Sequence, residues 1–363
     1  EDFRATDKTP YSLKSLDHNL ENWIPPLDLL KTDIINRIDY FFPYPRGFHV
    51  SVINKCNLKC VMCPYHSPVY KKGHKTDFFD NYDAMSMDVF KKIADYAAEK
   101  KISIQLGQVE EALMHKKIFQ FIRYAKDVGV PSVHLTTNGI MLNKKKADEL
   151  IDTNIDSVMF SVDSTDAKTY KEIRGSDLNL LESNIKYFTK KCKDKNITTW
   201  VSFIMQKQSK GQEKEFIEKW KNTGINNITF YALTDHDPET GKPYRPNGSI
   251  YELNDDERYP CSSPWVQSII YSNGDVSLCC KSMIETGWNG TVSVGSLKMM
   301  NFDEIWQSKR YKKVRNELLD NKFEEFSVCK DCFIWSASDS RFEHKDGYTR
   351  NYNETMEPFT FHK

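Results

Sequence analysis

From Phe48 onward, short apolar and β-branched runs alternate with stretches whose apolar residues recur at three- and four-residue spacing. The first run is Phe48–Ile53. After a long polar loop, Ser86 stands as a cap before a helix whose apolar face is Val89, Phe90, Ile93 and Ala97. Further strands are expected at Ile102–Leu106, Ser132–Thr136, Ser157–Val162, Thr198–Met205 and Asn227–Leu233. The helical segments between them carry Ile118, Phe121, Ile122 and Ala125, run through Leu150, and cover Asp166–Ile173, Leu180–Lys191 and Gln212–Lys221. Six strand-then-helix units imply a parallel sheet with its crossover helices outside. Six are too few to close an eight-stranded barrel. The expected class is therefore α/β, an open partial (β/α)6 barrel, with functional residues at the carboxyl ends of its strands.

The pattern changes after Asp235. Residues Asp235–Pro260 are polar and hold Pro238, Gly241, Pro243, Pro246 and Gly248, the makeup of a long connection. A hairpin is expected next, Trp265–Ser272 and Asp275–Leu278 around Asn273-Gly274. A helix near Phe302–Leu319 and a cysteine pair close a second domain. The expected division is 1–46 as an N-terminal extension, 47–235 as the barrel, 236–342 as the second domain and 343–363 as a tail.

The 363 residues carry a formal net charge of zero, which argues against a dedicated nucleic-acid binder. The Lys-rich stretches Lys144–Lys146 and Lys190–Lys195 read as solvated helix faces. No apolar run is long enough to span a bilayer, and Glu1–Pro10 lack the apolar core of a signal peptide. The expectation is a cytoplasmic protein without membrane or nucleic-acid partners. Nine cysteines in a reducing compartment point to metal ligands rather than a disulfide scaffold.

Three of them lie together in Cys56-Asn57-Leu58-Lys59-Cys60-Val61-Met62-Cys63-Pro64, directly after the first strand. Three thiolates on one short loop can hold three corners of a [4Fe–4S] cluster and leave the fourth iron open to another molecule. Zinc is the competing reading and needs a fourth ligand close by, for which His66 is the one available. At these residues the sequence resembles the radical S-adenosylmethionine (SAM) superfamily, whose signature is C-x3-C-x2-C on the loop after the first barrel strand. The resemblance implies that SAM chelates the open iron and, on one-electron reduction, is cleaved to methionine and a 5′-deoxyadenosyl radical that abstracts a substrate hydrogen. It also implies cofactor contacts by Met62 within the loop and by the segment Gln108-Val109-Glu110-Glu111-Ala112, which stands where the family often has Q-G-G-E-P. Both glycines and the proline of that motif are replaced here. Glu111 aligns with the glutamate that holds the SAM amino group, with Glu110 as the alternative. By the same resemblance Ser161 and Arg174 reach the SAM carboxylate and ribose region, a guanidinium being able to pair with a carboxylate at two points.

The second domain holds Cys261, Cys279, Cys329 and Cys332, with Cys280 beside the second of these. The hairpin can bring Cys279 back towards Cys261, and Cys329-Lys330-Asp331-Cys332 has the spacing of a metal-binding knuckle. Spacing alone leaves a second [4Fe–4S] cluster and zinc open. The arrangement is similar to the SPASM/twitch extension of radical SAM enzymes, which carries auxiliary clusters beyond the barrel. With five cysteines in the domain, the shorter twitch form with one auxiliary [4Fe–4S] cluster is the better match, and the family spacing favours Cys279 over Cys280. Cys192, on a Lys-rich helix, reads as a structural thiol. The two resemblances cover roughly residues 47–335.

Relatives of this kind oxidise a small aminocyclitol or modify proteins and peptides. The expectation is oxidation of a small polar metabolite such as a sugar or aminocyclitol, because 46 N-terminal residues with little strand pattern are short for a leader-peptide-binding domain. An electron donor such as flavodoxin or ferredoxin is the implied partner. The alternatives are modification or epimerisation of a peptide, and a non-catalytic iron–sulfur or zinc protein. No catalytic base is identifiable; Asp235 and His236, leaving the sixth strand, are the candidates. The aromatic and charged loop Tyr65–Asp83 is placed to cover the cluster.

Overall fold

The computed structural model describes residues 43–68, 78–232, 261, 263–279, 293–324 and 329–330, together with the backbone of 340–345 and 348–353. Asp235, His236, Cys280 and Cys332 lie outside these residues. Six parallel strands run in the expected order: β1 (Gly47–Val50), β2 (Ser103–Leu106), β3 (Val133–Thr137), β4 (Ser157–Ser161), β5 (Thr198–Met205) and β6 (Asn227–Ala232). Their crossovers are α1 (Met87–Lys100), α2 (Ile118–Asp127), α3 (Lys144–Ile151), the pair α4 (Ala167–Arg174) and α5 (Leu178–Cys192), and α6 (Glu213–Trp220).

Local chemistry starts these helices where the apolar periodicity asks for them. The Ser86 hydroxyl accepts from Val89 N at 3.3 Å, Asn143 caps α3, Asp166 caps α4 and Asp177 caps α5. Each satisfies an otherwise orphaned amide of a first turn. One face of every strand packs on these helices. Phe48 meets Tyr96 and Phe302, Phe160 meets Phe188, and Phe203 meets Phe216 and Phe230. The alternate residues, including His49, Gln105, His134, Ser161, Ser202 and Thr229, therefore turn to the opposite, inner face.

The sheet is larger than the six-strand pattern. After the short helix α7 (Ser263–Val266), β7 (Gln267–Ile270) joins as a seventh parallel strand, pairing Gly47 with Gln267 and Val50 with Ile270. Antiparallel β8 (Asp275–Ser277) and β9 (Gly295–Ser296) complete a nine-stranded sheet. The expected hairpin is present, but Trp265 and Val266 sit in α7, because Pro264 near its start favours a helical turn. The helix expected over Phe302–Leu319 is two helices, α8 (Phe302–Trp306) and α9 (Lys309–Leu319). Ser308 breaks it by capping the second, its hydroxyl accepting from Tyr311 N at 3.1 Å, while Asn301 and Glu304 form a capping box on the first. A two-stranded antiparallel sheet, β10 (Ser340–Lys345) and β11 (Tyr348–Asn353), straddles the expected boundary at 342/343 and runs into the tail. No helix among the described residues is long and apolar enough to cross a membrane.

Candidate iron–sulfur and cofactor site

The Cys56–Cys63 loop leaves β1 at the carboxyl edge of the sheet and is held there by neighbouring strand exits. Glu111 N donates to Lys55 O at 3.1 Å, and Val61 N donates to Ile173 O at 2.9 Å. Cys56, Cys60 and Cys63 share one apolar cluster with Leu58, Met62 and Ile173. The sulfurs have polar neighbours too: Arg174 Nη1 lies 3.8 Å from Cys60 Sγ, and Asn138 Nδ2 lies 3.9 Å from Cys56 Sγ. Burial pushes the Cys56 thiol up to about 12, with Glu111 and the other two thiols adding and the Leu58 amide opposing. Burial raises Cys63 to about 11 and also raises Cys60, against the charge of Arg174. Three desolvated thiols in mutual electrostatic reach are poor neighbours for one another until a bound cation deprotonates them.

The donor set fits an iron–sulfur cluster better than a single ion. A tetrahedral zinc site needs a fourth donor, which the three thiols of this loop do not themselves supply. Nor is His66 turned to the thiols: its Nε2 lies 2.7 Å from Val109 O and its ring stands edge-on to Phe79. Three thiols on one loop can supply three corners of a cluster.

The two glutamates have different surroundings. Glu111, 1% exposed, accepts from Leu113 N at 3.1 Å, Thr137 Oγ1 at 2.7 Å and Asn138 N at 2.8 Å. It ties the β2 exit to the β3 exit, and its charge is felt at Cys56. Burial raises its carboxyl, and these donors with Lys146 pull against it. Glu110 is half-buried and turns under β1, accepting from Val52 N and Val109 N, each at 2.9 Å. Burial pushes its carboxyl up to about 7. The turn that separates them from β2 depends on Gly107, at φ +84°, where an added Cβ would lie 2.2 Å from Thr136 O. Gln108 is half-buried beside His49, whose imidazole is lowered by burial against the opposing pull of Gln267 and Gln108.

On the other flank, Ser161 ends β4 level with Ser202 of β5. Two residues on, Asp163 is wholly buried in a left-handed conformation, φ +68°. Its carboxylate takes Arg174 Nη2 in an ion pair and Ile204 N at 2.8 Å. Arg174 is therefore shared between Asp163 and Cys60. Burial lowers the guanidinium, but the charges of Asp163, Cys60 and Tyr170 and the hydrogen bond to Asp163 together outweigh it and hold Arg174 raised. Asp163 and Asn138 were missed from sequence. Asn138 follows an expected strand by two residues and Asp163 by one, and a polar residue at a strand exit carries no signal of its partner.

The loop behind the cysteines returns over β1. Asn54 Nδ2 donates to the carbonyls of Phe78 and Asn81, and Lys55 Nζ to that of Asp80 at 3.1 Å. Phe78 and Phe79 pack with Val109, Ile269 and Tyr271, and Tyr65 joins them.

In the second region, Cys261 stands just before α7, and Cys279 lies two residues past β8. The register pairs Ile269 with Ser277, so continued by two residues it sets Cys279 opposite Gln267, at the end of α7. Cys261 and Cys279 thus flank one helical turn. Both are half-buried, as is Cys329 beyond α9.

Three thiols at one sheet exit, with carboxylates and a buried arginine on its flanks, are donors of the kind that would hold an iron–sulfur cluster with a polar ligand beside it. The chain belongs to the radical SAM superfamily. The family model described as "Radical SAM superfamily" matches residues 50–219, and a second, SPASM, described as an iron–sulfur cluster-binding domain, matches 261–333. These domains imply a SAM-binding [4Fe–4S] cluster, SAM and an auxiliary cluster. A probable GTP 3′,8-cyclase of Methanococcus vannielii is 33% identical over 143 residues, 39% of this chain and 44% of the relative. The chain thus spans less than half the length of that curated relative. Among solved structures, SuiB of Streptococcus suis bound to S-adenosylmethionine aligns with a TM-score of 0.62 at 15% identity, covering 93% of this chain and 84% of that one. BtrN in complex with AdoMet and 2-DOIA aligns at 0.50 and 15% identity, covering 84% and 98%. Likeness at this identity is one of fold.

Proposed function

We propose that the protein generates a 5′-deoxyadenosyl radical and uses it to abstract hydrogen from a small polar molecule, oxidising a sugar- or aminocyclitol-like substrate. The observation that carries this reading is the inner face of the sheet. His49, Gln105, His134, Ser202 and Thr229 present hydrogen-bonding groups there, and the buried Thr229 hydroxyl has no partner among the described residues. An inner face rich in donors and acceptors suits a polyhydroxyl ligand and would be wasted on an apolar one. The curated relatives are named for a reaction on GTP, also a small polar molecule.

In this reading Cys56, Cys60 and Cys63 hold the radical-generating cluster. Met62, Gln108, Glu110, Glu111, Ser161 and Arg174 form the SAM site, and Cys261, Cys279, Cys329 and Cys332 hold the auxiliary cluster. The barrel is 47–235 and the twitch domain 236–342, with a flavodoxin or ferredoxin as electron donor. When bound, the clusters and SAM supply the radical and a sink for the substrate's electron. The chain itself supplies placement: Asp163 orients Arg174, and Glu111 fixes the β2 and β3 exits against the cysteine loop.

The test is anaerobic incubation of reconstituted protein with SAM, reductant and a cell metabolite extract, with a tryptic peptide pool in parallel. The expected outcome is 5′-deoxyadenosine and a metabolite two mass units lighter, with deuterium transferred from labelled substrate into 5′-deoxyadenosine. Turnover confined to the peptide pool would refute the substrate class.

A further inference from the structure

Helix α4 lays one face on the cysteine loop. Its buried residues are Tyr170, Ile173 and Arg174, whose three- and four-residue spacing puts them side by side. Ile173 packs with Leu58, Cys60 and Met62, and its carbonyl accepts from Val61 N at 2.9 Å. Arg174 brings Nη1 to 3.8 Å from Cys60 Sγ. Tyr170, four residues earlier on the same face, is wholly buried, and its phenol is within electrostatic reach of Cys60, Arg174 and Asp163.

Two polar atoms on this face are buried with no hydrogen-bond partner among the described residues: Tyr170 Oη and Arg174 Nε. Nε can only donate, and a phenol keeps its proton at neutral pH and can donate it. The neighbouring carboxylates are engaged elsewhere. Asp163 takes Arg174 Nη2 and Ile204 N, and Asp177 takes Asn179 N at 2.9 Å. A buried donor without an acceptor costs a folded chain free energy. Two of them on one helix face mark a place where an acceptor arrives after folding. The sulfurs of a [4Fe–4S] cluster are acceptors of this kind, and hydrogen bonds to them set its potential.

We propose that the Tyr170 hydroxyl donates a hydrogen bond to a sulfur at the Cys60 corner of the radical-generating cluster and so raises its reduction potential. The inference rests on the reading of Cys56, Cys60 and Cys63 as the ligands of that cluster. Reduction adds negative charge to the sulfurs, so a donor beside them favours the reduced state. The phenol is idle in the cluster-free chain because its acceptor comes with the cluster. Ile173 and Arg174 hold α4 against the loop that carries that corner.

Tyr170→Phe deletes the hydroxyl and keeps the ring. The full chain is reconstituted anaerobically without SAM, and iron is counted per chain. The electron paramagnetic resonance signal that Cys60→Ala abolishes is the one followed in a redox titration. Its midpoint potential is expected to fall in Tyr170→Phe by about 59 mV, a tenfold shift in a one-electron equilibrium. The metal-free variant is expected to unfold at a urea concentration no lower than wild type, since it loses a group that has no partner there. An unchanged potential overturns the proposal, whether the variant is less stable, as for a packing role, or binds SAM more weakly, as for a hydroxyl that serves SAM. Should Tyr170→Phe fail to hold the cluster, the urea midpoint decides. Loss of iron with wild-type metal-free stability supports the hydrogen bond, and loss with a destabilised chain overturns it. If Cys60→Ala abolishes no signal, the ligand reading of the cysteine loop fails instead, and the role of Tyr170 with it.

Discussion

The buried pair of Asp163 and Arg174 responds asymmetrically to the loss of either partner. Asp163→Asn keeps the shape, still accepts from Ile204 N, and tolerates the left-handed backbone at φ +68°. It removes only the charge, and Arg174 is left buried and unpaired. A guanidinium does not shed its proton in a protein, so the full penalty of breaking a buried pair applies, about 3–5 kcal/mol. Arg174→Met leaves Asp163 instead, and a carboxyl can escape by taking a proton. From an ordinary carboxylate value of about 3.9, that escape costs about 4 kcal/mol at pH 7 and about 1.5 kcal/mol at pH 5. The sign follows from linkage. In Arg174→Met the folded carboxyl is raised above its unfolded value, so stability is present at low pH and lost as pH rises. Urea denaturation of the metal-free chain at pH 5 and pH 7, against Asp163→Asn/Arg174→Met as reference, measures this. Arg174→Met is expected to lose roughly 3 kcal/mol between the two pH values, and Asp163→Asn to stay level. A cost below about 1 kcal/mol for Asp163→Asn, or a level profile for Arg174→Met, would refute the argument.

Three other outcomes are expected. Gly107→Ala places a methyl 2.2 Å from Thr136 O at a positive φ, so β2 cannot leave the sheet there; soluble yield and iron incorporation at the cysteine loop are both expected to fall sharply. Thr137→Val deprives Glu111 Oε1 of one donor and leaves Gly139 N, which donates to Thr137 Oγ1 at 3.0 Å, without its acceptor; denaturation should show a cost of about 1–3 kcal/mol. Glu110, raised to about 7, binds its proton more tightly when folded. Apo-protein stability is therefore expected to fall by about 3 kcal/mol between pH 4.5 and pH 8 relative to Glu110→Gln, and matching slopes for the two proteins in a pH series would rule this out.

The barrel was legible because each of its elements is signalled locally. Ser86 announces a helix start, recurring apolar residues mark the helices, and alternating ones mark strands that bury one face. The cysteine loop was legible for the same reason, its three thiols lying within eight residues. What escaped depends on partners distant in the chain. β7 reads as one arm of a hairpin, and nothing local says that its free edge will pair with β1, more than two hundred residues earlier. Asp163 looks like an ordinary surface residue until the fold encloses it. In the site, resemblance located the glutamate motif, and only coordinates distinguish Glu111, bonded three times across two strand exits, from Glu110, folded beneath β1.

Because β7 covers the flank of β1, the two metal-bearing regions are stitched into one hydrogen-bonded ribbon rather than hung on a tether. Cutting the chain ahead of residue 261 would strip that flank and leave a row of bare amides and carbonyls next to the cysteine loop, a template for clumping with other copies. The radical-generating half is therefore not a cassette that can be lifted out and grafted elsewhere; its border strand has to travel with it.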